Sequence, residues 1–333
     1  MGRKNNKILV EKKLYIDIYL IGYRAEGESI IFVIYTDDKV DYVGVVDSYE
    51  VDGHNITIEI LNKLNIKRID LLCWTHPDKD HSLGIDKLIN IVDENSNIVI
   101  PYGLERIKDQ LKPNILDNYE KINQISIVKQ NYSVIEVMQD TKMDRKRVYQ
   151  HINIKPMDYE FNITALSPHS SINKKRLLSK ANKLKINDYS IAFYIRLGVC
   201  NFLFAGDIEN QSLQRIYFED IPESYEYVKI PHHASETSEE IFNTIFTEDT
   251  INEMACTTTA TVGGTRLPNE KIIKRYNTCT KEIYCTDNNM SFINNEMYNN
   301  SAHDKGVIYC RFDILNGGKK VDIKLFGSAI EIK

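Results

Sequence analysis

Two imidazoles and two carboxylates fall within six residues in the run Thr75-His76-Pro77-Asp78-Lys79-Asp80-His81. The run follows directly on the apolar stretch Ile69-Asp70-Leu71-Leu72-Cys73-Trp74. A buried strand ending there would deliver His76, Asp78, Asp80 and His81 to one point. Nitrogen and oxygen donors at this density suit Zn²⁺, Mn²⁺ or Fe better than the all-oxygen shells of Ca²⁺ and Mg²⁺. A structural zinc knuckle would use Cys, and this run has none. The predicted chemistry is that of a catalytic metal centre.

Three later stretches have the same form, an apolar strand followed at once by a metal-competent side chain. Phe202-Leu203-Phe204-Ala205-Gly206 ends at Asp207, and Tyr227-Val228-Lys229-Ile230-Pro231 ends at His232-His233. Thr164-Ala165-Leu166-Ser167-Pro168 ends at His169. A His or Gly-Asp of this kind, taken alone, is more often a hydrogen-bonded residue or a turn. Beside the 76–81 cluster, Asp207 and the His232-His233 pair become natural partners, and His169 rests on its strand-end position alone. A carboxylate following Gly206 can bridge two cations. His232 and His233 share one strand end, so the sequence leaves open which of them is the ligand.

The elements that must position these residues alternate at first. Strands are expected over residues 14–21, 29–36 and 42–46, the last ending at Asp47. A helix over 55–64 has apolar residues at Ile56, Ile58, Ile60, Leu61 and Leu64. A strand over 69–74, a helix over 84–92, a strand over 98–101 and a helix over 104–111 follow. From about 112 to 165 short strands are expected, with a polar stretch at 139–150. A hairpin turning at Gly198, a strand over 226–230, helices over 238–245 and 269–276, and a strand-rich end from 306 to 332 complete the pattern. The last part turns at Asn316-Gly317-Gly318. With no internal repeat and no Pro- or Gly-rich linker, residues 14–333 read as a single α/β domain of layered sheets behind a basic tail at 1–13.

Composition sets outer limits. The chain has 333 residues, 42% hydrophobic and 27% charged, with a net charge of −5. That charge gives no overall pull toward nucleic acid, so any polyanion binding must come from a local patch. Six scattered cysteines without a CxxC pair read as reduced thiols. The first residues lack the apolar core of a signal peptide, and no stretch approaches a membrane span. A soluble cytoplasmic protein is expected.

The motif series resembles metallo-β-lactamase-fold hydrolases, and among them the hydrolase domain of the DNA-uptake protein ComEC and its stand-alone relatives. That subgroup has His-x-Asp-x-Asp-His where most of the superfamily has His-x-His-x-Asp-His, and residues 76–81 match the former. Asn187-Asp188-Tyr189-Ser190 matches its Asn-Asn-x-Ser stretch, and Gly206-Asp207 its Gly-Asp. Pro231-His232-His233-Ala234-Ser235 matches its Pro-His-His-Gly-Ser run. Leu267-Pro268 and Tyr284-Cys285-Thr286-Asp287 fall where its His-Pro and Tyr-x-Thr-Asp signatures lie. The similarity spans approximately residues 14–290. Leu267 replaces a common His, Ala234 replaces Gly, and the early Val-Gly-Gln-Gly-Asp survives only in outline over residues 21–28.

The resemblance implies an αββα sandwich and two divalent ions, Zn²⁺ or Mn²⁺. His76 and Asp78, with His169, would hold the first. Asp80, His81 and one of His232 or His233 would hold the second, with Asp207 bridging. Asp80 and Asp207 would be the catalytic carboxylates, and Asp47 would orient the His76 loop from behind. Two such ions lower the pKa of a shared water, which at a single zinc is already about 7. Residues 171–185 carry Lys174, Lys175, Arg176, Lys180, Lys183 and Lys185 with no acidic residue, and Arg145-Lys146-Arg147 lies in another polar stretch. These read either as a phosphate-backbone track or as solvated loops in a Lys-rich chain; on the first reading Lys174, Lys175 and Arg176, with Ser235 of the 231–235 run, are the substrate-binding residues. A phosphodiesterase or nuclease is the leading expectation. A hydrolase of small esters, lactones or thioesters and a non-catalytic binding module are the alternatives.

Overall fold

The computed structural model describes residues 12–23, 26–128, 133–138, 140–141, 147–148, 150–152, 159–172, 185–216, 221–262, 264–288 and 305–332. Its strands are β1 (Leu14–Tyr23), β2 (Glu26–Thr36), β3 (Lys39–Val46), β4 (Leu71–Cys73), β5 (Asn97–Pro101), β6 (Ser133–Val137), β7 (Asp140–Thr141), β8 (Arg147–Val148), β9 (Gln150–Ile152) and β10 (Phe161–Ala165). They continue with β11 (Phe193–Leu197), β12 (Cys200–Phe204), β13 (Tyr227–Lys229), β14 (Asn252–Thr257), β15 (Ala260–Val262), β16 (Thr265–Leu267), β17 (Thr280–Cys285), β18 (Gly306–Asp313), β19 (Lys319–Gly327) and β20 (Ile330–Ile332).

Two eight-stranded sheets result, in the orders β19-β18-β1-β2-β3-β4-β5-β6 and β20-β17-β14-β13-β12-β11-β10-β9. Alternation along β1 shows why they stack. Leu14, Ile16, Ile18 and Leu20 face the second sheet, where they meet Phe193, Ile195, Phe202 and Phe204. β2 is apolar on both sides, with Ile30, Phe32 and Ile34 inward and Ile31 and Val33 outward. The outward set packs under helices α1 (Ile56–Lys63), α2 (Lys79–Ser82), α3 (Ile85–Leu88) and α4 (Pro113–Val128), chiefly through Leu61, Ile85, Leu88, Ile115 and Tyr119. Ile241, Ile272, Ile273 and Tyr276 cover the outer face of the second sheet. The layer order is helix, sheet, sheet, helix.

Some expected elements differ. Residues 112–128 are not short strands: Pro113–Val128 is a 16-residue helix. Proline opens it, where no amide partner is needed, and Ile115, Leu116, Tyr119 and Ile122 recur at helical spacing. The 84–92 helix is one turn of α-helix extended by a 3₁₀ turn, Ile89–Ile91. The 104–111 helix is two 3₁₀ turns. The helix expected over 238–245 shrinks to Ile241–Thr244. The six cysteines are all buried and unpaired. Among the described residues, no helix is long and apolar enough to cross a membrane.

Both sheets have parallel cores. In the first, β3, β4, β5 and β6 run parallel. In the second, β12, β13, β14 and β17 do. The carboxyl ends of such strands are where an open α/β sheet collects its ligands.

Candidate metal centre

Four strand ends feed one cluster. Asp47 follows β3, His76 follows β4, Asp207 follows β12, and His232-His233 follow β13. The antiparallel start of β2 brings Glu28 to the same end of the sandwich.

At β4, the chain leaves the sheet in a turn held by buried Asp47. Its Oδ1 accepts the Thr75 amide at 2.7 Å, and its Oδ2 accepts the Thr75 hydroxyl at 2.6 Å. The same Oδ2 takes Nδ1 of His81 at 2.7 Å. Asp78 then caps α2 by accepting the Lys79 amide at 2.7 Å. Asn118 of α4 donates to the Ser82 carbonyl at 2.8 Å and fixes the far end of α2.

At β12, Gly206 has φ of 51°, and a Cβ there would lie 2.7 Å from the Ile191 carbonyl oxygen and from Ser190 Oγ. Only glycine fits. The Ser190 hydroxyl accepts the Asp207 amide at 2.8 Å, so the Asn187–Ser190 stretch positions the carboxylate. After β13, His232, His233 and Ala234 are successively left-handed, with φ of 47°, 52° and 62°. Each such residue costs about 1–2 kcal/mol, and strain of this kind collects at functional sites. Backbone bonds hold the turn: His232 N–H donates to Gly206 O, and Ser235 N–H to His232 O. Ser235 Oγ accepts the Thr237 amide at 3.3 Å and closes it.

Hydrogen bonds orient three imidazoles alike. The carboxylate of Asp47 can only accept, so His81 carries its proton on Nδ1. Thr75 gives its hydroxyl proton to Asp47 and so accepts Nδ1–H of His76, at 2.9 Å. Thr258 gives its proton to Glu28 at 2.6 Å and accepts Nδ1–H of His233 at 2.7 Å. The Nε2 atoms of His76, His81 and His233 are left buried without a hydrogen-bond partner. A buried ring nitrogen without a hydrogen-bond partner, in a ring whose other nitrogen is fixed, is the arrangement a metal-binding histidine needs, the cation displacing the Nε2 proton where the free ring carries one.

Donor atoms of Asp80, His81, Asp207 and His233 lie within 4.8 Å of one another. Nε2 of His81 is 3.5 Å from Oδ2 of both Asp80 and Asp207, and Nε2 of His233 is 3.4 and 3.5 Å from the same two oxygens. Four donors around one zinc at about 2.1 Å are separated by about 3.4 Å. The residues fit a divalent cation.

The other candidates surround this group without joining it. His76 stacks beside His81, with ring centroids 4.2 Å apart. His232 points Nε2 toward Asp207 Oδ2 at 3.9 Å and toward Asn187 at 3.4 Å. Its Nδ1 meets the Thr237 hydroxyl at 2.8 Å. His169 departs from the pattern: the Ser171 amide donates to its Nδ1 at 3.2 Å, which places the proton of the neutral ring on Nε2. Lys174, Lys175, Arg176, Lys180, Lys183, Arg145 and Lys146 lie outside the described residues. Lys185 is described, and it pairs with Glu209 beside Asn187 and His232.

Sequence reasoning passed over Glu28, Lys229, Thr75 and Thr258. Lys229 is fully buried, 2.6 Å from Glu28 and 3.4 Å from Asp207. A lysine between Val228 and Ile230 in a strand apolar on both faces is a legible signal, because a charge there requires a buried partner. A separate groove of about 1000 Å³ runs between α1 and the outer faces of β1, β18 and β19, lined by Tyr19, Tyr23, Tyr49 and Phe326. It touches the metal centre's surroundings through Glu26, which pairs with Lys79.

Charge inside the cluster is mutually compensated. Burial works against the His81 imidazolium, but Asp80, Asp207 and Asp47 outweigh it and hold its pKa well above the usual 6.5. His233 is raised in the same way against burial, chiefly by Asp207 and Asp80. Asp80 and Asp207 are held well below 3.8 despite burial, first by His81. Burial, reinforced by neighbouring His81, lowers His76 and keeps it neutral. In metal-free protein the raised histidines contribute stability fully present below pH 6.5 and lost as pH rises through their folded pKa values. The depressed carboxylates contribute stability present above pH 3.8 and lost as pH falls. Melting in chelator should therefore show Tm falling as pH rises above 6.5, with added Zn²⁺ reversing the loss. A Tm independent of pH across that window would contradict the charge assignment.

The helix-sheet-sheet-helix order, with a histidine and carboxylate cluster at the carboxyl ends of its parallel strands, is the αββα arrangement that the motif resemblance implied. No protein-family model matches the chain, and no curated protein matches it. Similar solved structures include a diphosphatase of the PhnP family, 11% identical, covering 81% of this chain and 86% of that one at a TM-score of 0.37. Zn²⁺-bound PqqB from Methylobacterium extorquens is 11% identical over 64% of this chain and 72% of that one, with a TM-score of 0.37. CmlA, a diiron β-hydroxylase from Streptomyces venezuelae, is 14% identical over 79% of this chain and 40% of that one, with a TM-score of 0.34.

Proposed function

We propose that this chain is a metal-dependent hydrolase of phosphodiesters, a nuclease of the type represented by the ComEC hydrolase domain and its stand-alone relatives. One observation carries the metal-dependent part. Three buried imidazoles have Nε2 atoms without a hydrogen-bond partner, those of His81 and His233 lying 3.4–3.5 Å from Asp80 and Asp207, while their Nδ1 atoms are tied to Asp47, Thr75 and Thr258. Asp80, His81, Asp207 and His233 would hold one Zn²⁺ or Mn²⁺. A second ion would draw on His76 and Asp207, with Asp78 and His169 turned from their present amide partners. Once bound, such ions supply Lewis acidity and a hydroxide at neutral pH.

The chain's own groups divide the remaining work. Asp47 fixes the tautomer of His81 and the turn that carries His76. Ser190 and Gly206 set the direction of Asp207. Asn187 stands between Glu209 and His232, its amide nitrogen 3.4 Å from Glu209 Oε1 and from His232 Nε2.

The phosphodiester substrate is supported by the basic run at 171–185, whose last residue, Lys185, reaches Glu209 beside His232. On the other side of the run, Ser167 donates to the carbonyl of Ser190 at 2.6 Å, and the Ser190 hydroxyl is the group that accepts the Asp207 amide. Motif order supports the ComEC-type reading, Asp78 standing where most of the superfamily has His. The test is turnover of bis-p-nitrophenyl phosphate and labelled single-stranded oligonucleotides with Mn²⁺ or Zn²⁺, run against a lactone and thioester panel. Cleavage of the phosphodiesters is expected. Turnover confined to the lactones would overturn the substrate class, and no turnover with any of them would leave a binding module.

A further inference from the structure

We propose that Lys229 is a positioning residue: by holding one oxygen of Asp207, it makes that carboxylate a single-oxygen donor to the cluster. This rests on reading the cluster as a metal site. Lys229 ends β13 fully buried, and its ammonium donates to the Gly206 carbonyl at 3.0 Å. It lies 3.4 Å from Oδ1 of Asp207 and 2.6 Å from Oε1 of Glu28. Oδ2 of Asp207 faces Nε2 of His81 and of His233, each at 3.5 Å. The two oxygens of one carboxylate thus have separate duties.

Glu28 extends the device. Its Oε2 accepts the Thr258 hydroxyl, which takes Nδ1–H of His233. The buried pair reaches two of the four donors, Asp207 through the ammonium and His233 through Thr258. An apolar pair of similar volume would fill the same space without the desolvation cost of two charges, so packing alone does not account for them.

The test substitutes the pair together, Glu28→Gln with Lys229→Met, which leaves the net charge unchanged. Zn²⁺ affinity is measured by competition with a chelator, and folding by thermal melting. The pair should bind Zn²⁺ about 10–100-fold more weakly while still melting cooperatively. In an Asp207→Asn background the same substitutions should cost less affinity than in the parent, because the share of their effect that runs through Asp207 is already lost. Additive losses in that background would overturn the proposal. If the double variant does not fold, Lys229→Gln is compared with Lys229→Met. Both lose the charge, but Gln keeps an N–H donor and should bind Zn²⁺ about tenfold more tightly than Met. Equal affinities would overturn the proposal. Parent protein that binds no Zn²⁺ would remove the metal-site reading as well. Parent protein that binds Zn²⁺, with a double variant that matches it, removes this inference alone.

Discussion

Replacing Asp80 or His81 by alanine should reduce phosphodiester turnover by about three orders of magnitude or more and lower the bound metal, with the chain still folded. Both side chains supply donors to the four-atom group, and His81 Nε2 and Asp80 Oδ2 lie on the same edge of it. His81 is fully buried and Asp80 only partly, so His81→Ala should cost more stability than Asp80→Ala. Metal analysis of the purified variants, far-UV circular dichroism and a turnover assay check this together. Unchanged metal stoichiometry in both variants would contradict the donor assignment.

Asp47→Ala should be the most damaging substitution that touches no proposed metal donor atom directly. It removes the acceptor of three buried donors: the Thr75 amide, the Thr75 hydroxyl and His81 Nδ1. Leaving buried donors unpaired and a charged partner uncompensated costs about 3–5 kcal/mol. Releasing the His81 ring and the His76 turn should also weaken metal binding by about 10–100-fold. Urea unfolding in chelator reads the first effect and chelator competition the second. A variant within about 1 kcal/mol of the parent, with parental metal affinity, would show that Asp47 does not organise the site.

The legible parts of the sequence were those in which chemistry is dense or periodicity strict. The 76–81 run declared itself by packing four candidate donors behind an apolar strand, of which Asp80 and His81 join the group, and Asp207 and the His232-His233 pair by standing at strand ends. Asn55 and Asn269 cap helices at the expected starts. The α4 helix was readable but was masked by the surrounding polar residues. Its omission mattered, because Asn118 supports the loop bearing Asp80 and His81. Glu28 and Lys229 were hidden for a different reason. They lie 201 positions apart in sequence, on strands of different sheets, and only the stacking of the sheets brings them within 2.6 Å. The choice between His232 and His233 likewise needed the left-handed turn, which sends His233 into the donor group and leaves His232 beside it.

Anomalous diffraction at the zinc edge, from crystals grown with Zn²⁺, tests the centre most directly. A peak within about 2.0–2.2 Å of His81 Nε2, His233 Nε2, Asp80 Oδ2 and Asp207 Oδ2 is the expected result. A map with no peak there, or with Asp207 and His233 turned away from the Asp80 side chain, would contradict it.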